Sequence, residues 1–196
     1  MLGVLALQGA FRAHADRLRL LGADVREVRT PIELRMVDAL VMPGGESTTM
    51  SNLLASSALY EPIAARIAGG MPVFGTCAGM ILLAGTILDG RDDQRHFGAL
   101  DITVRRNGYG RQIDSFESDL DVAGLDAPYH GVFIRAPRIE AIGRDVDVLA
   151  SHEGEPVLVR HGNLLAASFH PELTPDPRLH GLFLQLVRDR QSESTN

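Results

Sequence analysis

The segment Gly75-Thr76-Cys77-Ala78-Gly79 joins a short apolar run, residues 71–75, to a second apolar stretch, residues 78–84. A chain that passes from a buried strand into a helix within one residue leaves no room for side chains on either flank of the turn. Two glycines at the spacing G-x-C-x-G meet that demand. The pattern is the cysteine counterpart of a nucleophile elbow, and it confines the fold to sheets whose strands run straight into helices. The turn pushes Cys77 out at the sheet edge and puts its sulfur at a helix N-terminus, where partial positive charge favours thiolate. A lone cysteine is by default a small buried hydrophobe. The paired glycines and the strand-to-helix setting argue for a nucleophile here.

The first half of the chain repeats the alternation. Residues 2–7 are continuously apolar, as in a strand buried on both faces. Residues 11–21 carry Leu18 and Leu21 on one face among Arg12, Asp16, Arg17 and Arg19, and Gly22 suits a helix end. Residues 24–29 and 38–42 read as strands, the latter entering the turn Pro43-Gly44-Gly45. Ser47 or Thr48 is a candidate cap for a helix to about residue 57, and residues 64–68 are helical in pattern. The second half is richer in strands, at 99–104, 132–136, 147–151 and 157–160, with His161-Gly162-Asn163 as a tight hairpin turn into 164–169. Thr174-Pro175 supplies an N-cap and first-turn proline for a last helix with Leu179, Leu182, Phe183, Leu186 and Val187 at helical spacing. The expected fold is a single α/β domain over residues 1–190, a three-layer sandwich with a mostly parallel central sheet, and a frayed, disordered tail at 191–196.

Composition narrows the function classes. With 196 residues, 45% of them hydrophobic, the chain is long enough for one sizeable core. One cysteine excludes an internal disulfide framework and a zinc cluster of several thiolates. The 19 basic and 25 acidic residues argue against a nucleic-acid partner. The apolar start, MLGVLALQGA, lacks the basic residues of a secretory signal, and no apolar run reaches membrane length, so a cytoplasmic chain with no membrane association is expected.

A thiolate nucleophile needs a base. Of the seven histidines, His14, His96, His130, His152, His161 and His180 sit in polar or loop-like surroundings where a surface position is the default. His170 ends the apolar run 164–169 and opens His170-Pro171-Glu172. Proline at 171 biases His170 toward extended geometry, where residues two apart point the same way. Glu172 then reaches one ring nitrogen while the other faces Cys77, the base-plus-orienter arrangement of a catalytic triad. A metal held by this thiolate, imidazole and carboxylate would be an unusual cage, and no metal or cofactor is expected. At the end of a strand, Pro43-Gly44-Gly45-Glu46-Ser47 allows backbone N–H groups close to a substrate, as an oxyanion site needs, with the Ala78 N–H as second donor. Neither phosphate-loop glycine signature is present. The loop-like stretch 89–96 reads as a solvated charge run without a role.

The stretches LALQGAF (5–11), MPGGESTTM (42–50), GTCAGMILLA (75–84), GVFIRAP (131–137) and SFHPELT (168–174) resemble class I glutamine amidotransferases, and more narrowly the glutaminase subunits of pyridoxal 5′-phosphate synthases. The resemblance runs from residue 3 to the last helix and departs at Ala13, where an acidic residue is expected before His14. It implies a flavodoxin-like fold and hydrolysis of L-glutamine, with Cys77 as nucleophile, His170 moving the proton and Glu172 holding the imidazole. It implies that Gly45, Glu46, Ser47, Arg106, Ile134 and Arg135 bind glutamine, that Gly45 and Ala78 form the oxyanion hole, and that Gln8 and Gly9 lie near that loop and an interface. It also implies a synthase partner in a hetero-oligomer, and a free glutaminase that is slow until the partner orders the Gly44-Gly45 loop. From residue type alone, Arg105, Arg106, Arg111 and Arg135 are equal candidates for the substrate carboxylate. The alternatives are a glutaminase for a different amination partner, a cysteine hydrolase or redox sensor of similar fold, and a catalytically silent binding subunit.

Overall fold

A computed structural model describes residues 1–106 and 115–193. Along the chain run β1 (Leu2–Leu5), α1 (Phe11–Leu20), β2 (Val25–Val28), α2 (Pro31–Leu34), β3 (Ala39–Met42), α3 (Ser47–Ser56), α4 (Tyr60–Ala68), β4 (Val73–Thr76), α5 (Ala78–Leu83) and β5 (Ala84–Ile87). There follow β6 (Leu100–Arg105), β7 (Ser115–Leu120), β8 (Tyr129–Ile134), β9 (Arg138–Ile142), β10 (Asp147–His152), β11 (Glu155–His161), β12 (Leu164–Ala167), a 3-10 turn (Pro171–Leu173) and α6 (Arg178–Glu193).

The main sheet has the order β10-β11-β12-β4-β3-β1-β2. Strands β2, β1, β3, β4 and β12 are mutually parallel, and β11 and β10 continue the sheet antiparallel. Taken in chain order, the parallel strands are arranged 2-1-3-4-5, the flavodoxin-like pattern whose ligands bind at the carboxyl ends of strands beside the β1/β3 reversal. Alternate residues of each strand feed two cores. Leu5, Leu40, Met42, Val73, Leu164 and Ala166 pack with α2 to α5, while Leu2, Val4, Ala39, Val41, Phe74, Leu165 and Ala167 pack with α1 and α6. Both faces being covered explains why these strands read as unbroken apolar runs. A smaller sheet, β5-β6-β9, closes over the first core, and the hairpin β7-β8 closes over the second.

Several local expectations need correction. The cap of α3 is the Glu46 side chain, which accepts from the Thr48 and Thr49 amides; neither Ser47 nor Thr48 serves. Helix α6 begins at Arg178, with Asp176 Oδ1 accepting the Arg178 amide, while Thr174 Oγ1 accepts from the Asp176 amide in the preceding turn. That helix runs on through Glu193, so part of the segment expected to fray is helical, and 194–196 lie outside the described residues. The short α2, opened by a Thr30–Glu33 capping box, was not anticipated. The hairpin turn at Gly162-Asn163 is as expected, with His161 paired to Leu164.

The elbow depends on close backbone approach. A Cβ on Gly79 would run into the Met42 carbonyl, and one on Gly75 would lie 2.7 Å from the Gly79 carbonyl. Gly69, in contrast, would meet nothing nearer than 3.4 Å. Gly79→Ala is therefore expected to destabilise the fold by about 3 kcal/mol or more in urea titration, and Gly69→Ala to change it by less than about 1 kcal/mol.

Candidate active site

The sequence-predicted residues converge at the carboxyl ends of β1, β3, β4 and β12. Cys77, at φ 50° and ψ −105°, turns the chain from β4 into α5. It is the left-handed geometry of an elbow, rare for a residue with a Cβ. Two backbone bonds hold it: the Cys77 amide donates to Ala167 O at the end of β12 (2.8 Å), and the Ile81 amide donates to Cys77 O (3.1 Å). The first of these ties the nucleophile to the strand that leads into His170. The Ala78 N–H, at the first position of α5, is left by helix geometry without an intrahelical acceptor.

Gly44 shows how close the thiol and imidazole lie. A Cβ there would be 2.6 Å from His170 Cε1 and 3.3 Å from Cys77 Cβ. Cys77 and the His170 ring face the same point beside Gly44 and interact there. His170 Nδ1 is 2.8 Å from Glu172 Oε1, which leaves Nε2 for the sulfur. The expected i, i+2 contact is made, but through a 3-10 turn that starts at Pro171, not through extended chain. That turn is pinned by the His170 amide donating to Val132 O and by the Tyr129 hydroxyl donating to Pro171 O.

Burial works against a charged His170, yet the hydrogen bonds to Cys77 and Glu172 outweigh it and raise its pKa to about 10. Burial likewise opposes the Glu172 carboxylate, but His14 and His170 hold its pKa well below the usual range. The second oxygen of Glu172 faces His14 Nε2 at 3.2 Å. His14 and His180 are both wholly buried, which corrects the surface default assigned to them. His14 Nδ1 lies 3.0 Å from His180 Nε2, and Thr76 Oγ1 lies 3.3 Å from His14 Nε2. Burial and the neighbouring His14 push the His180 pKa down to about 3. Nothing in local sequence marked these two histidines, since α1 and α6 are far apart along the chain and only the folded sheet brings them together.

A cleft of about 170 Å³ opens over the thiol, lined by Gly45, Glu46, Ser47, Cys77, Ile81, Arg106, Ile134, Arg135 and His170. Every residue assigned to glutamine binding is present. Arg106 donates to Glu46 Oε1 (2.7 Å) and to Gln94 Oε1 (3.2 Å), and its amide donates to Asp89 (2.7 Å). The stretch 89–96, read as a featureless charge run, therefore positions Arg106; Gln94 also receives the Thr48 hydroxyl. Desolvation of Glu46 is more than offset by its bonds to Thr49 and Thr48, which hold its pKa at about 2. Arg135 lies at the cleft with φ 42°, and its guanidinium has no ion-pair partner among the described residues. Arg105 is paired with Glu140 outside the cleft, and Arg111 lies outside the described residues. Gln8 and Gly9 pack on the cleft loop. A Cβ on Gly9 would strike the Gly44 carbonyl, and Gly45 lies against Gln8 Oε1, a buried oxygen without a hydrogen-bond partner among the described residues.

Comparison with known proteins agrees with this geometry. The SNO glutamine amidotransferase family matches residues 4–189. The chain is 57% identical over 188 residues to the pyridoxal 5′-phosphate synthase subunit PdxT of Mycobacteroides abscessus, covering 96% of this chain and 97% of that one. It is 56% identical over 196 residues to the protein of the same name from Streptomyces avermitilis, covering 99% and 98%. A crystal structure of a glutamine amidotransferase superposes with a TM-score of 0.90 at 50% identity, covering 95% of this chain and 98% of that chain.

The buried charges set the stability profile. Unfolded, His180 takes a proton near pH 6.5; folded, it refuses one until about pH 3, so stability falls as pH drops below about 6.5. Glu172 adds to that acid loss below about pH 4.5. His170 acts in the other direction: between about pH 6.5 and 10 the native chain holds a proton that the unfolded chain lacks, and stability falls as pH rises. Thermal unfolding is therefore expected to peak near pH 6.5. His180→Gln should flatten the acid limb between pH 6.5 and 5, where one proton is worth about 1.4 kcal/mol per pH unit.

Proposed function

The chain belongs to the SNO glutamine amidotransferase family, and from that position we propose that Cys77, His170 and Glu172 perform its glutamine hydrolysis through a thioester. It is the glutaminase subunit of a pyridoxal 5′-phosphate synthase, an amide hydrolase that delivers ammonia to a synthase subunit. The observation that supports the residue roles is the contact of thiol, imidazole and carboxylate at the floor of one cleft.

The reaction runs in two halves. The proton shared by Cys77 and His170 rests on the imidazole, and the sulfur attacks the side-chain amide carbon of glutamine. Negative charge gathers on the amide oxygen, where the Ala78 and Gly45 N–H groups receive it; one such donor is worth a factor of roughly 10² to 10³ in rate. His170 then gives its proton to the departing nitrogen, the C–N bond breaks, and ammonia leaves the γ-glutamyl thioester behind. Water attacks the thioester, His170 takes a proton from it, and the C–S bond breaks to release glutamate. Glu172 keeps the ring oriented throughout.

Glutamine is held by its amino-acid end at the rim. Arg106 and Arg135 supply cations for the α-carboxylate, and Glu46 supplies an anion for the α-ammonium. Ser47 Oγ, buried in the lining and without a partner among the described residues, is a polar group that a bound substrate would satisfy. The Gly44-Gly45 peptide beside Gln8 is the part that the synthase partner would order. The reaction belongs in the cytoplasm on this reading; no helix among the described residues is long and apolar enough to cross a membrane.

Cys77→Ala is expected to abolish ammonia release while leaving the melting transition in place, and mass analysis of the unsubstituted protein quenched during turnover should find a γ-glutamyl adduct on Cys77. Adding the synthase partner should raise the glutaminase rate; equal rates would remove the loop-ordering role. Arg106→Ala should raise the KM for glutamine by about tenfold or more, as loss of a charged hydrogen bond does.

A further inference from the structure

We infer that His14, held in one tautomer by His180, is a positioning residue of the glutaminase site: its ring N–H fixes the second oxygen of Glu172 and so aims the carboxylate at His170. The inference rests on the glutaminase reading and deepens it.

Four separate elements meet at this cluster. His14 comes from α1, His180 from α6, Thr76 from the end of β4 and Glu172 from the 3-10 turn, and all four side chains are buried. His170 satisfies Glu172 Oε1. Oε2 lies 3.2 Å from His14 Nε2 in a buried interior; the contact is off-line for a regular hydrogen bond, and no other described residue supplies one. A carboxylate only accepts, so a hydrogen on His14 Nε2 is required; a bare nitrogen there would turn a lone pair toward a negative oxygen. The Thr76 hydroxyl, 3.3 Å from the same nitrogen, shares that N–H.

A His14 ring with its one hydrogen on Nε2 presents a lone pair at Nδ1. That atom is 3.0 Å from His180 Nε2, so His180 carries its hydrogen on Nε2 and leaves Nδ1 bare. His180 Nδ1 is a buried ring nitrogen with no partner among the described residues, a position where a bare lone pair costs less than a stranded N–H. The reverse assignment strands an N–H at His180 Nδ1 and also leaves Glu172 Oε2 without a donor, two losses in place of one. Phe74 and Phe183 pack at the far side of the cluster and keep it dry. The donor direction then runs from His180 to His14 to Glu172, and meets the N–H of His170 at the same carboxylate.

The test uses the glutaminase in complex with its synthase partner. His14→Leu removes the donor, and His14→Gln keeps an amide N–H near the Nε2 position. His14→Leu should lower kcat about tenfold or more with the KM for glutamine changed less than twofold, and His14→Gln should restore most of the loss. The rate of Cys77 alkylation by iodoacetamide at pH 7 needs no turnover and completes a double-mutant cycle: in a Glu172→Gln background, His14→Leu should slow it no further. Equal fractional losses in both backgrounds, or a His14→Gln variant as slow as His14→Leu, would overturn the role. Should His14→Leu fail to fold, ring 15N shifts of the unsubstituted protein decide. A protonated Nε2 and bare Nδ1 on His14 support the assignment, and the opposite pattern overturns it. If Cys77→Ala still released ammonia, the glutaminase reading itself would fall. If Cys77 is essential and the cycle is additive, only the positioning role falls.

Discussion

Backbone lies directly on backbone at the carboxyl edge of the sheet, and the site exists only because it does. Gly79 sits against the Met42 carbonyl, Gly9 against the Gly44 carbonyl, and Gly44 against the ring of His170. Each contact would be lost to a single methyl group. Together they bring the ends of β1, β3 and β4 close enough for one substrate to touch all three. The left-handed backbone of Cys77 costs on the order of 1–2 kcal/mol, and the bond from its amide to Ala167 is what keeps that conformation from relaxing.

Two kinds of ion pair coexist a few residues apart. Glu46 and Arg106 meet at the rim, where water screens them and the contact can be exchanged for a ligand's charges. Glu172 and His170 meet in the interior, where desolvation is severe and is offset because His170 bonds one carboxylate oxygen and the His14 ring lies beside the other. The rim pair suits recognition, which must form and release. The interior pair suits orientation, which must not change during the reaction.

Legibility in the sequence followed how local each signal was. Gly75-Thr76-Cys77-Ala78-Gly79 and His170-Pro171-Glu172 are compact motifs whose geometry follows from adjacent residues, and the structure joins them as the spacing suggests. The alternating strands and helices were visible as far as β4, because buried parallel strands are apolar throughout. The capping of α3 by Glu46 was missed because Ser47 and Thr48 are the commoner cap types at that point, whereas it is the longer Glu46 side chain that folds back to accept from the Thr48 and Thr49 amides. Gln94 and the His14–His180 pair were invisible for a stronger reason. Polar residues in loop-like or amphipathic stretches carry no local mark of being buried, and only tertiary contact tells them from surface side chains.

The order of strands in the sheet has a consequence for synthesis. β12 lies inside the sheet, between β4 and β11, yet it is the last of the seven strands in chain order. A nascent chain that has emerged only as far as β11 has β4 open along one side, with Val73 and Phe74 lacking their final neighbours. The elbow amide has no Ala167 to bind, and neither His170 nor α6 has arrived. Catalytic competence therefore waits for β12 and the His170–Glu172 segment to emerge, and until then the growing protein carries an unpaired, apolar strand edge of the kind that chaperones recognise.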